Sequence, residues 1–137
     1  VVLCICDSMN YLLSKEELRS MFRCIREALT ENGVAVLDMK TAYCFQKVMG
    51  NQTRVDETEE ALMIWDNTYD EETCINEYLL TIFTEDKATG MYARYDECHE
   101  QRAYTEDEIK SCLKEASLQL VKSWTEDEVR TYFVIQR

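Results

Sequence analysis

The stretch VVLCICDSMNYLLSKEELRSMFRCIREALTENGVAVLD, Val1 to Asp38, decides the fold. Its opening, Val1 to Cys6, is a continuous apolar run with no polar alternation, the pattern of a strand covered on both faces. Ser14-Lys15-Glu16-Glu17 is a capping box, because the serine hydroxyl can accept from the third helical N–H while Glu17 reaches back. The helix it opens carries Leu18, Met21, Phe22, Ile25 and Leu29 at helical spacing, and Gly33 sits where a left-handed terminating residue costs least. Val34 to Leu37 is a second short apolar strand. Strand, helix and strand in that order imply a right-handed crossover and a parallel pair. A strand buried on both faces needs a neighbour and a covering layer, and nothing precedes Val1 to supply them, so the expectation is of a chain that starts inside a fold.

Outward from this unit, Thr41 to Gly50 has a short helical pattern (Ala42, Phe45, Met49), and Asn51 to Glu60 has no apolar face at any period and reads as a loop. Ala61 to Trp65, Cys74 to Thr84 and Met91 to Tyr104 read as three successive strands of an antiparallel meander, the last two joined by a turn at residues 85–90. Thr105-Glu106-Asp107-Glu108 is a second capping box, opening a helix with the stripe Ile109, Cys112, Leu113 and Ala116. Leu118 to Trp124 and Val129 to Ile135 close the chain as a hairpin around residues 125–128. The expected class is α/β, with parallel strands, a closing antiparallel hairpin and an inserted antiparallel meander. Residues 1–50 and 105–137 form the core, and 51–104 an inserted subdomain.

Composition narrows the function. The chain has 137 residues, 46% of them hydrophobic and 31% charged, which is enough for one folded core. Its 27 acids outnumber 15 bases for a formal charge of −12, so it lacks the electrostatic footprint for gripping phosphate backbones, and no nucleic-acid partner is expected. No apolar run approaches the roughly 20 residues needed to cross a bilayer, and the N-terminus has no signal-peptide pattern, so a soluble cytoplasmic protein without membrane contact is expected. The three glycines are isolated, which excludes a Walker loop and a Rossmann fingerprint. Seven cysteines at irregular positions, with no CxxC pair and one histidine, point to reduced thiols and to no metal site.

In an open parallel sheet, ligands bind beyond the carboxyl ends of the strands, where two loops qualify: Asp7-Ser8-Met9-Asn10-Tyr11-Leu12 and Asp38-Met39-Lys40-Thr41. Asp7, Ser8 and Asn10 are equally suited to plain Asx turns and capping. His99, in Glu97-Cys98-His99-Glu100-Gln101-Arg102-Ala103-Tyr104, has the pKa range for proton transfer, although a lone histidine also serves as a structural hydrogen-bonder. Trp65, Tyr69, Tyr78, Tyr92, Tyr95 and Trp124 read as core or edge aromatics, with a lid over a site as the alternative.

The order VVLCICDSMNYL, capped helix, GVAVLD, then HEQRAYTEDEIKSCLKEA and the closing VRTYFVIQR resembles the C-terminal half of class I S-adenosylmethionine-dependent methyltransferases, of the small-molecule type with an inserted β meander. The resemblance covers essentially the whole chain. It implies the fourth strand of that Rossmann-like fold, its helix, the fifth strand, the insertion, the last helix, and the sixth and seventh strands. One departure is Ser117-Leu118, where many relatives carry glycine and phenylalanine.

The resemblance further implies methyl transfer from S-adenosylmethionine to a nucleophilic N, O or C of a small-molecule acceptor. The family's glycine-rich cofactor loop and its ribose-binding acid are missing from these residues, so the cofactor site is incomplete in this chain. By motif match, Asp7, Ser8 and Asn10 would contact the cofactor, Asp38, Arg102 and Tyr104 the acceptor, and Tyr11 and His99 would act at the reacting atoms. Two alternatives remain open. One is a non-enzymatic interaction module whose exposed first strand pairs with a partner or drives self-association. The other is a small α/β ligand-binding protein unrelated to methylation.

Overall fold

A computed structural model describes all 137 residues, Val1–Arg137. The first apolar run becomes β1 (Val2–Cys4), followed by a 3-10 turn (Ser8–Tyr11), α1 (Lys15–Ala28) and β2 (Val34–Lys40). A wide π-helical turn (Cys44–Met49) leads into β3 (Gln52–Glu57), β4 (Ala61–Asp70), β5 (Ile75–Asp86) and β6 (Met91–Arg102). The chain ends with α2 (Glu106–Glu115), β7 (Gln119–Glu126) and β8 (Arg130–Gln136). These strands make two sheets, ordered β1-β2-β8-β7 and β3-β4-β5-β6. Only β1 and β2 run parallel, with Leu3 opposite Val36; β8 slots antiparallel between β2 and β7, and the second sheet is antiparallel throughout.

Both capping boxes form. Ser14 Oγ accepts from Glu17 N at 3.2 Å while Glu17 Oε2 accepts from Ser14 N at 2.9 Å, and Thr105 and Glu108 repeat the pattern. A cap is worth about 1 kcal/mol, whereas each fully buried Leu or Phe contributes about 1.5–3 kcal/mol, so packing holds the helices and the caps set where they begin. The main core joins Leu18, Phe22 and Ile25 of α1 and Ile109, Cys112 and Leu113 of α2 to Ala35, Leu37, Met39, Phe133 and Ile135 of the first sheet.

Val2 and Cys4 of β1 pack toward the core, while Val1, Leu3 and Ile5 are 92%, 64% and 50% exposed. Two expectations are corrected. Residues 51–60 are not simply a loop, because β3 runs through them with every residue exposed. Its stability comes from backbone pairing to β4 and not from burial, so hydrophobic periodicity had no signal to offer. Gly33 is not left-handed; positive φ among glycines occurs at Gly50 and Gly90. What Gly33 supplies is space, since a Cβ there would lie 2.9 Å from Thr30 N and 3.0 Å from Leu29 Cδ2.

Candidate functional site

The loop leaving β1 turns sharply through two consecutive left-handed residues, Cys6 (φ 61°) and Asp7 (φ 52°). Non-glycine residues adopt this conformation only where their surroundings hold it. Here Asp38, at the end of β2, accepts from the backbone N–H of Cys6 at 3.2 Å and of Asp7 at 2.6 Å. Arg130, entering from β8, binds Asp38 at 3.0 Å and Asp7 at 2.7 Å. Lys40 and Gln101 each reach the other Asp7 oxygen at 2.9 Å. Burial pushes the Asp7 carboxyl up, but the hydrogen bonds from Arg130, Lys40 and Gln101 outweigh it and hold the group below the usual carboxylate range. One carboxylate thereby ties together the first loop, the paired ends of β2 and β8, and the meander.

Asn10 completes this anchoring. It has no exposed surface; its Oδ1 accepts from Lys40 N at 2.9 Å, and its Nδ2 donates to Lys40 O at 3.1 Å and Arg102 O at 2.9 Å. Tyr104, buried, donates to Leu12 O and Ser14 O, and burial pushes its phenol up to about 12. Arg102 donates to Leu13 O at 3.1 Å and lies over the Tyr104 ring at 4.9 Å.

The structure places Asn10, Asp38 and Tyr104, expected at the cofactor and the acceptor, in buried positions with hydrogen-bond partners inside this chain. Each positions the loop. Asp7 and Arg102 serve mainly in the same way. Ser8 is exposed, with its hydroxyl donating to Ile5 O at 2.9 Å.

Tyr11 and His99, 88 residues apart in sequence, are brought together. Tyr11 Oη lies 3.2 Å from His99 Nδ1 and 2.6 Å from Tyr78 Oη, and His99 Nε2 lies 2.9 Å from Glu97 Oε2. The donors in this chain can be ordered. An ionised Glu97 only accepts, so Nε2 of a neutral imidazole carries the hydrogen; Nδ1 then accepts from Tyr11, whose oxygen accepts from Tyr78. Burial and the hydrogen bond to Tyr11 push the Tyr78 phenol upward, so it stays protonated as this order requires. The Tyr78 ring stacks on His99 at 4.7 Å and on Trp65 at 4.6 Å.

Sequence alone leaves Tyr78 and Trp65 as core or edge aromatics or as a lid over a site, and singles out neither Glu97 nor Arg130. The signal for Tyr78 and Glu97 was the meander register, which sets Tyr78 opposite His99 and leaves Glu97 two residues away on the same strand face. Beside this aromatic row is a cavity of about 270 Å³ whose walls include Lys40, Cys44, Arg54, Trp65 and Asn67. The arrangement sets Trp65 in the cavity wall and, beyond Tyr78, a histidine with a carboxylate behind it. It is suited to taking a proton from a bound N–H or O–H.

No family model matches the chain. It is 30% identical over 122 residues to the "Putative methyltransferase YqeM" of Bacillus subtilis (strain 168), covering 88% of this chain and 47% of that protein. It is 31% identical over 140 residues to the "Putative methyltransferase GWCH70_2453" of Geobacillus sp. (strain WCH70), covering 96% of this chain and 56% of that protein. Among solved structures, an S-adenosylmethionine-dependent methyltransferase from Clostridium acetobutylicum ATCC 824 superposes with a TM-score of 0.87 at 25% identity, over 98% of this chain and 56% of that one. The sugar N-methyltransferase KedS8 from Streptoalloteichus sp. ATCC 53650 shares the fold, with a TM-score of 0.76 at 17% identity, over 99% of this chain and 55% of that one. The chain spans about half the length of the curated relatives it matches. Its fold is that of about half of an S-adenosylmethionine-dependent methyltransferase.

Proposed function

We propose that this chain is the acceptor-binding half of a methyltransferase that uses S-adenosylmethionine to methylate a small molecule, in a cytoplasmic protein. Tyr11 and His99 touch the acceptor, and residues 51–104 are the subdomain that walls it in. The observation that carries this reading is the Tyr78–Tyr11–His99–Glu97 chain, set beside a ligand-sized cavity in a fold shared with such enzymes.

The residues of this chain do not make a site for the methyl donor. Asp7 is saturated by Arg130, Lys40 and Gln101, and Asn10 is fully enclosed, which leaves only the Ser8 hydroxyl and the loop backbone accessible. What the chain supplies is the acceptor side. An N–H or O–H of the acceptor gives its proton to Tyr11 Oη as Tyr11 passes its own proton to His99 Nδ1. The imidazolium so formed is balanced by Glu97 at 2.9 Å. The acceptor atom keeps the electron pair with which it forms the new bond to carbon. Trp65, in the cavity wall, orients the acceptor and displaces water from one side of it.

The test is methyl transfer from labelled S-adenosylmethionine to small amines and alcohols by the full-length product of the gene that encodes this sequence, with calorimetry of the donor on that product and on residues 1–137 alone. Transfer by the full product, and weak or no donor binding by residues 1–137, are expected. Absence of transfer to every acceptor, or equally tight donor binding by both, overturns the reading.

A further inference from the structure

A cavity of about 630 Å³ lies away from the Tyr11–His99 cluster, at the far end of the meander. Its floor is Leu62, Phe83 and Tyr92. Leu62 lies opposite Phe83 and Tyr92 opposite Glu85, and residues opposed in antiparallel strands share a face. Phe83 is an odd number of residues from Tyr78 along β5, so this groove opens on the face of the second sheet opposite the aromatic row. No helix covers it. Around the floor stand Glu57, Glu59, Glu60 and Glu85, none within 4.0 Å of a basic group. The one base in the same row, Arg94, packs over the Phe83 ring and is bound to Asp96 at 2.8 Å.

The wider charge distribution points the same way. Residues 51–104 hold 14 of the 27 acids and 4 of the 15 bases, so ten of the twelve excess negative charges lie in this one sheet and its connections. A second copy meeting this face with its own would set two such fields against each other, which disfavours a symmetric dimer. A cationic partner is drawn to it and can lay apolar side chains on the floor.

We propose that the outer face of the meander, over Leu62, Phe83 and Tyr92, is a docking surface for a basic polypeptide segment that alternates Lys or Arg with apolar residues. The apolar side chains contact the floor and the cations meet the four free glutamates. The surface is separate from the acceptor site and stands whether or not the chain takes part in methyl transfer.

The test is calorimetric titration of the 137-residue chain with a nonapeptide of alternating lysine and valine, blocked at both ends, and with one of alternating lysine and glycine. The valine peptide is expected to bind one to one, about tenfold or more tighter than the glycine peptide. The pair Glu57→Gln and Glu85→Gln, and separately Tyr92→Ser, each weaken the valine peptide by about tenfold. Glu71→Gln with Glu72→Gln, an exposed acidic pair at the other end of β4, leaves its affinity unchanged. Equal affinity for both peptides, equal loss in the Glu71/Glu72 variant, or no binding overturns the proposal. So does a dimer of the free chain that Tyr92→Ser abolishes while no peptide binds.

Discussion

Asn10 holds Lys40 by both of its backbone groups, accepting from its N–H at 2.9 Å and donating to its C=O at 3.1 Å. A side-chain amide thereby does what a neighbouring strand would do at the end of β2, and its second amide hydrogen reaches Arg102 O. Asn10→Ala leaves three buried backbone groups without this partner, so it should cost about 2–4 kcal/mol. Urea denaturation should show a lower midpoint at an unchanged slope.

Asp7 confers a pH dependence whose sign follows from its environment. Its folded pKa is depressed below the model-peptide value of 3.8, so its contribution is present above that value and is lost as pH falls through the folded pKa. The difference in unfolding free energy between the native chain and Asp7→Asn should be constant near neutrality and shrink on acidification below about 3.8. Paired denaturation curves between pH 7 and pH 2 read it directly, and a difference that grows toward acid contradicts the assignment.

His99→Gln should lower methyl transfer by the full-length product by about 10²–10⁴-fold, the range for loss of a general base. Tyr11→Phe removes the hydroxyl through which the proton passes to His99 and should lower transfer by a comparable factor. Circular dichroism should show both variants folded, because neither side chain belongs to the main core.

Gly33→Ala should destabilise the chain by about 1–3 kcal/mol. The new Cβ would meet backbone atoms of Thr30 at 2.9 and 3.0 Å, and backbone cannot swing aside as a flexible side chain can. Thermal unfolding compared with Gly50→Ala separates crowding from dihedral strain. Gly50 has φ 60° but nothing closer than 3.8 Å to a built Cβ.

Ser117→Gly should stabilise by about 0.5–1 kcal/mol. Ser117 sits at φ 55° just past α2, where Leu118 N donates to Leu113 O at 2.9 Å and Ser117 N to Lys114 O at 3.0 Å, the paired bonds of a Schellman motif. This is the position at which the resembling family carries glycine, and a raised melting temperature would confirm that serine is the strained choice here.

Local chemistry was legible wherever one segment held both halves of the signal. Both capping boxes, the stripes Leu18–Leu29 and Ile109–Ala116, and the apolar β2 are short-range patterns, and all formed. Two loops on one rim followed from strand, helix and strand alone. Three things were decided only by tertiary structure. β3 exists because β4 is there to pair with it, and backbone pairing leaves no periodic trace in the side chains. Asp7, Asn10 and Asp38 look like ligand-facing polar groups until Arg130, Lys40 and Arg102 arrive from 30 to 123 residues away and engage them, and the Tyr104 hydroxyl meets the carbonyls of Leu12 and Ser14. The Tyr11–His99 contact depends on the register of a meander that the turns define and no single segment encodes. Spacing along a chain specifies which face a residue takes within its own element; which element lies opposite is set by burial and pairing summed over the whole fold.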